Sequence, residues 1–170
     1  NGVRSDAVDE PNAAPPGDDA TASAGGPVLG VPKETHPGER RVGVTPDVVP
    51  ALRKLGWEVL VEPGAGAEAG FTDAEYEEAG ALLARPPTYR DAASVWAADL
   101  VVKVRPPTVS EVGRMREGAA LVSLLFPARN EEVVDALAAR GIEAVALDKV
   151  PRITRAQSMD VLSSMANIAG

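Results

Sequence analysis

Cysteine is absent from the 170 residues, so disulfides, thiolate chemistry and Cys-based metal sites are excluded outright. That absence fits a reducing compartment. Aromatic residues make up 4% of the chain and hydrophobic residues 45%, so a core of real size has to be built from Val, Leu and Ala. No stretch approaches the ~18 consecutive apolar residues of a membrane-spanning helix, and the N-terminus shows no hydrophobic signal core; direct membrane insertion is not expected. Basic charge is in short supply. Lys and Arg number 17 against 25 Asp and Glu, a net charge of −8, which argues against a nucleic-acid phosphate footprint. Histidine occurs once, at His36 in the polar loop "KETHPGERR", and is read as a solvated residue rather than a catalyst because no orienting partner is visible.

Residues 1–27 are rich in Ala, Gly, Pro, Ser and Asp without periodicity. They hold one Arg and five acids, half of the net charge of the chain. Such a segment buries too little apolar surface to offset its ordering entropy and is expected to be a disordered tail. From Val28 to Gly170 one domain is expected. Short apolar runs alternate with amphipathic stretches. Strands are expected at 28–32, 57–62, 81–84, 99–104, 119–126 and 142–147, with 119–126 the most buried. Helices are expected at 45–56, 72–80, 89–97, 109–116 and 130–141. Thr45 with Pro46 opens the first helix and Gly56 stops it. Thr72 and Glu75 form a capping box on the second. Asn130 caps the last and Gly141 ends it. Apolar runs bounded by helices imply an α/β fold: a doubly wound, flavodoxin-like parallel sheet with helices on both faces.

The run "VEPGAGAEAG" (61–70) follows a strand and imitates a dinucleotide loop. Its spacing, Gly64, Gly66 and Gly70, is one residue too long, and no convincing acidic ribose partner follows. A tight turn is the simpler reading. The P-loop pattern is also missing, so the chain lacks a complete nucleotide-binding fold of its own. Lys33, Arg40 and Arg41 lie just beyond the first strand. Lys103 interrupts the apolar strand "LVVKV", where a charge must be paired or face a cleft. Both positions are where open parallel sheets bind ligands, although a surface salt bridge is the simpler reading of Arg41.

The segment "RITRAQSMDVLSSMANIAG" (152–170) reads as a helix with unusual polar residues. On a projection of 100° per residue, Gln157, Asp160, Ser163, Ser164 and Asn167 share an arc of roughly 120°. These side chains suit a planar polar group such as an amide. They would equally suit water, with Gln157 and Thr154 forming a capping box. One Asp without His or a second carboxylate is a poor metal set, so no metal site is expected.

"GVPKE…ERRVGVTP", "VEPGAGAEAGF", "DLVVKVRPP" and "PRITRAQSMDVLSSMANIAG", in this order, resemble the family of alanine dehydrogenase and the proton-translocating nicotinamide nucleotide transhydrogenase alpha subunit. The last motif is similar to the transhydrogenase branch. The resemblance implies the first part of an NAD(H)-binding component, followed by a Rossmann domain missing from this chain, which stops inside the expected linker helix. It implies hydride transfer between NADH here and NADP(H) on a partner component, coupled to proton passage through a membrane-spanning component. It further implies a homodimer and a cytoplasmic location, peripheral to the membrane through its partners. By motif, Arg152, Gln157, Asp160 and Ser163 correspond to the residues around the nicotinamide, with Gln157 and Asp160 closest to the chemistry. Alanine dehydrogenases bind pyruvate with an Arg and a Lys that resemble Arg41 and Lys103, and use a His after the strand that here reads "LVSLLFPA". This chain has Phe126 there. An alanine dehydrogenase-like oxidoreductase, or a non-catalytic assembly module of the same fold, is the alternative.

Overall fold

Six of the apolar runs pair side by side, all parallel, as β1 (Val28–Val31), β2 (Glu58–Val61), β3 (Leu82–Leu83), β4 (Leu100–Val102), β5 (Ala120–Ser123) and β6 (Glu143–Ala146). The computed structural model describes residues 26–85 and 92–151. Residues 1–25 of the expected tail, the start of the helix expected at 89–97, and the terminal segment 152–170 lie outside the described residues.

The strand order is β3-β2-β1-β4-β5-β6. The doubly wound parallel sheet expected from the sequence is present, but with six strands in the order 3-2-1-4-5-6 rather than the five-stranded flavodoxin order 2-1-3-4-5, because the short run Leu82–Leu83 adds an edge strand beside β2. The helices between the strands are α1 (Val49–Lys54), α2 (Asp73–Glu78), α3 (Ala92–Trp96), α4 (Val109–Arg114) and α5 (Glu131–Ala139). The chain winds outward from β1 to β3, returns to β4, and winds the other way to β6. Right-handed crossovers then put α1 and α2 on one face and α3, α4 and α5 on the other. The core divides accordingly. Leu29, Val31, Val59 and Val61 pack with Val49 and Tyr76, while Val101 and Leu121 pack with Trp96, Val112, Met115 and Leu137.

One burial expectation is corrected. In β1 and β2 three of four residues are buried, whereas β5 alternates, with Ala120 and Val122 only partly covered. Among the described residues, α1 and α2 cover that face only as far as β1. Val122 and its register partner Val145 lie beyond them, and Val145 is 48% exposed.

Local chemistry explains most helix ends. Thr72 and Glu75 form the expected capping box, and Thr108 with Glu111 forms a second. Thr45 does not cap with its side chain; its hydroxyl donates to Asp47, and residues 46–48 make a 3₁₀ turn into α1. Asn130 is likewise not a side-chain cap, because its amide donates to Leu125 O and Phe126 O instead. The glycine run is a connecting turn. Gly64 and Gly70 have φ of 74° and 88°, and Gly64 N–H donates to Asp73 Oδ1 at 2.8 Å, tying the turn to the start of α2. Tyr76 is fully buried and donates its hydroxyl to Val44 O at 2.7 Å, which anchors the loop after β1.

Gly30 sets the contact between β1 and α3, since a Cβ there would lie 2.0 Å from Val95 O. Gly113 in α4 is the opposite case, with nothing within 4 Å of an added Cβ. In urea unfolding, Gly30→Ala is expected to cost about 3 kcal/mol or more, through forced separation of helix and strand. Gly113→Ala is expected to gain about 0.5–1 kcal/mol from helix propensity. Equal effects at the two positions would contradict this packing.

Candidate functional site

The direction of winding switches between β1 and β4, and the loops leaving their carboxyl ends diverge there, which is where open α/β sheets form a crevice. Six charged side chains converge on it: Glu34, Glu39 and Arg41 from the loop after β1, Lys103 and Arg105 from the end of β4, and Glu111 from α4.

Lys103 continues β4, its N–H donating to Val122 O at 3.0 Å, and its side chain is 3% exposed. Its ammonium donates to Glu111 Oε2 at 3.1 Å and lies 3.9 Å from Glu34 Oε2. It also stands 5.4 Å from the centre of the Trp96 ring, with the Arg114 guanidinium 5.1 Å from the same ring. Both alternatives read from the sequence hold at once, because Lys103 is paired and also borders a cleft. Glu111 serves two purposes: the oxygen that accepts from Lys103 also closes the capping box on Thr108 N at 2.8 Å. Glu34 Oε1 accepts from Val104 N at 2.6 Å, while its buried Oε2 has no hydrogen-bond partner. Burial pushes the Glu34 carboxyl above its ordinary range, and Lys103 opposes that shift.

Glu39 is 8% exposed and accepts from three nitrogens of Arg41, the backbone N at 3.0 Å, Nε at 2.6 Å and Nη2 at 2.5 Å. It also accepts from Arg105 Nε at 2.7 Å. These bonds, Arg41's foremost, hold the Glu39 carboxyl down at about 2, and the same contact raises Arg41. Arg41 is therefore neither a bare ligand-binding cation nor a plain surface pair. It is held in orientation by a buried carboxylate two residues away.

Two cavities flank this cluster. One of about 390 Å³ is bordered by Arg41, Gly43, Lys103, Leu124 and Leu147. The other, about 660 Å³, is bordered by Glu34, Lys103, Arg105, Glu111 and Phe126. Lys103 is common to both, and the structure brings the sequence-predicted pair Arg41 and Lys103 together on the smaller one. Gly43 makes this possible: a Cβ there would be 2.5 Å from Val102 O, so the Arg41 loop lies directly on the end of β4. His36 is exposed on the rim of the larger cavity, its Nδ1 3.0 Å from Pro37 O. Lys33 and Arg40 are exposed.

At the end of β5, Phe126 has φ 45° and ψ 61°, the one left-handed non-glycine among the described residues. That conformation costs about 1–2 kcal/mol for an L-residue. Four hydrogen bonds enforce it. Leu125 N and Phe126 N donate to Asp148 Oδ1 at 2.6 and 3.0 Å, and Asn130 Nδ2 donates to Leu125 O and Phe126 O at 2.9 and 3.2 Å.

Sequence reasoning missed Glu34, Glu39, Arg105 and Glu111 as site residues. Only Glu111 carried a readable signal, as the fourth residue of Thr-x-x-Glu. Arg152, Gln157, Asp160 and Ser163 lie outside the described residues. Among the described residues no group of three or more His, Cys, Asp or Glu is arranged to hold a metal ion.

The depressed Glu39 carboxyl sets a pH signature. Its stabilising contribution is complete above the ordinary value of 4.5 and is lost as the pH falls through about 2. Glu39→Gln cannot titrate, so its thermal midpoint is expected several degrees below that of the parent at pH 6, with the gap closing between pH 4.5 and 2. A gap that stays constant over this range would show that the charge on Glu39 does not hold the two arginines.

Comparison with known proteins bears on this geometry. A family model described as alanine dehydrogenase/PNT, N-terminal domain, matches residues 30–169. The NAD(P) transhydrogenase subunit alpha of Haemophilus influenzae is 45% identical over 143 residues, covering 84% of this chain and 27% of that protein. The crystal structure of transhydrogenase from Sinorhizobium meliloti superposes with a TM-score of 0.77 at 42% identity, covering 84% of this chain and 41% of that one. An L-alanine dehydrogenase structure gives 0.73 at 34%, covering 84% and 37%. The chain thus spans about a quarter to two-fifths of the length of these relatives. With the doubly wound sheet, the crevice at its switch point and a family match running from β1 to the last residues, this chain belongs to the alanine dehydrogenase/PNT N-terminal domain family.

Proposed function

We propose that this chain is the first domain of the NAD(H)-side component of a proton-translocating transhydrogenase, and that hydride passes between NADH on this component and NADP+ on a partner. The transhydrogenase relatives match more closely than the alanine dehydrogenase structure. The observation that carries the choice is Phe126. The alanine dehydrogenases that the chain resembles use a His after this strand for the protons that accompany hydride, and Phe126 stands there instead. Direct exchange between two nicotinamides moves only hydride, and the cofactor supplies that chemistry. The residue standing beside the Lys103 cavity is a phenyl ring, and the single histidine is exposed on the rim.

The residues present fit such a cofactor. The crevice combines an apolar wall with a few fixed polar groups, the usual make-up of a small-molecule site. Arg152, Gln157, Asp160 and Ser163 would hold the carboxamide and ribose end of NAD(H), and their task is orientation. Arg41 and Lys103 would shape the floor, with anion binding limited by the carboxylates they already contact. A Rossmann domain following in the full protein would hold the rest of the cofactor. Partners would be the NADP(H)-binding and membrane-spanning components, with this component a homodimer lying peripheral to the membrane on the cytoplasmic side. Among the described residues no helix is long and apolar enough to cross a membrane.

NADH titrated against this chain is expected to bind weakly or not at all, and to bind clearly to a chain extended through the next domain. No binding by the extended chain would favour an assembly module, and alanine-dependent NADH formation would favour the dehydrogenase. In the complete protein, Asp160→Asn is expected to lower hydride transfer about tenfold or more, with little change in thermal midpoint. A large loss of stability with normal turnover in the folded fraction would make that helix structural.

A further inference from the structure

Left-handed backbone is nearly always assigned to glycine in this chain. Gly38, Gly56, Gly64, Gly70, Gly80, Gly118 and Gly141 all have positive φ, and Phe126 is the single exception among the described residues. The exception is doubly unfavourable, because Phe126 precedes Pro127, and a residue before proline is pushed towards extended conformations. Among the described residues Phe126 is only partly buried and stands outside the three buried clusters of the sheet, so its ring does not serve their packing. Asp148 and Asn130, from the turn after β6 and the start of α5, fix the peptides on both sides of it. Such over-determined strain gathers at ligand-contacting positions. Phe126 borders the larger cavity with Pro106, Pro107 and Val109, an apolar stretch of lining beside the Lys103 cluster.

We infer that Phe126 is a platform for the nicotinamide ring, clamped in place by Asp148 and Asn130, and that it favours the oxidised, cationic ring over the reduced, neutral one. This deepens the transhydrogenase reading and rests on it. The discrimination follows from the quadrupole of the phenyl face. A pyridinium cation within about 6 Å of an aromatic centre gains electrostatic attraction, whereas dihydronicotinamide gains only dispersion and area. Phe126 thereby sets the relative affinity for NAD+ and NADH on this component, and with it the poise of the bound couple. Asp148 and Asn130 act through Phe126 as positioning residues.

The test measures dissociation constants for NAD+, NADH and ADP-ribose, which lacks the nicotinamide, in the full-length protein. Phe126→Leu keeps an apolar side chain and removes the ring face; Phe126→Tyr keeps the face. In Phe126→Leu the constant for NAD+ is expected to rise about fivefold and that for NADH about twofold, as a cation–π contact of moderate exposure implies. That for ADP-ribose should not change, and Phe126→Tyr should restore parent values. Asp148→Ala should show the Phe126→Leu pattern, and Asp148→Asn, which keeps the accepting oxygen, should not. Thermal midpoints confirm that each variant is folded. Equal weakening of all three ligands, or no change in any, overturns the inference while leaving the transhydrogenase reading standing. A parent protein that binds neither NAD+ nor NADH removes both.

Discussion

Burying the Lys103 ammonium at the end of a central strand imposes most of what surrounds it. A cation with 3% of its side chain exposed must be neutralised and hydrogen-bonded where it sits, or it unfolds the strand end that carries it. Glu111 supplies the near contact and Glu34 the second carboxylate. These two acids come from α4 and from the loop after β1, so satisfying one charge draws together the three segments that enclose the crevice. The capping box on Thr108 makes the arrangement economical. The carboxylate that starts α4 is the one that meets Lys103, which fixes the helix start and the floor of the crevice together. Removing one partner from a buried set of this kind typically costs about 3–5 kcal/mol, because the remaining charges stay buried.

Glu39 repeats the device one layer further out. Its carboxylate stands between Arg41 and Arg105, which border different cavities, and so it joins the walls of both. The cluster holds three acids and three bases, and its formal charge is balanced without a ligand. A small carboxylate entering this crevice has to compete with glutamates that already contact Arg41, Lys103 and Arg105. A ligand that enters on flat apolar surface meets no such competition. This agrees with the proposed role in orienting a ring.

The fold was legible where physics acts locally. Alternating apolar runs with Gly stops and a Thr-x-x-Glu box placed all six strands, and the five helices follow the same spacing, because these signals depend on neighbours within one turn. The burial ranking of β5 was not legible, since it depends on how far α1 and α2 reach across the sheet. Asn130 was misread for a related reason. Its position before a helix predicts capping, but the backbone of Leu125 and Phe126, five and four residues earlier, offers it better-placed acceptors. In the site, Lys103 and Arg41 stood out because charge interrupted an apolar strand or followed one. Glu34 and Glu39 sit in an irregular loop where acids are common. Nothing in their spacing shows that folding buries Glu34 near Lys103 and Glu39 against Arg105, cations far away in the sequence.

The turn after β6 ties these levels together. Asp148 fixes the end of β5, and with it one wall of the crevice, through two hydrogen bonds. Three residues later the described chain ends at Pro151, and the next position, Arg152, opens the motif proposed to hold the nicotinamide end of the cofactor. In the proposed site, one short turn therefore orients the phenyl platform close in sequence to the start of that motif. Hydride transfer rewards a platform fixed in advance, because the reacting carbons must meet at close range and in the right orientation. Strain at Phe126 is then a modest cost for fixing one half of that geometry before the cofactor arrives.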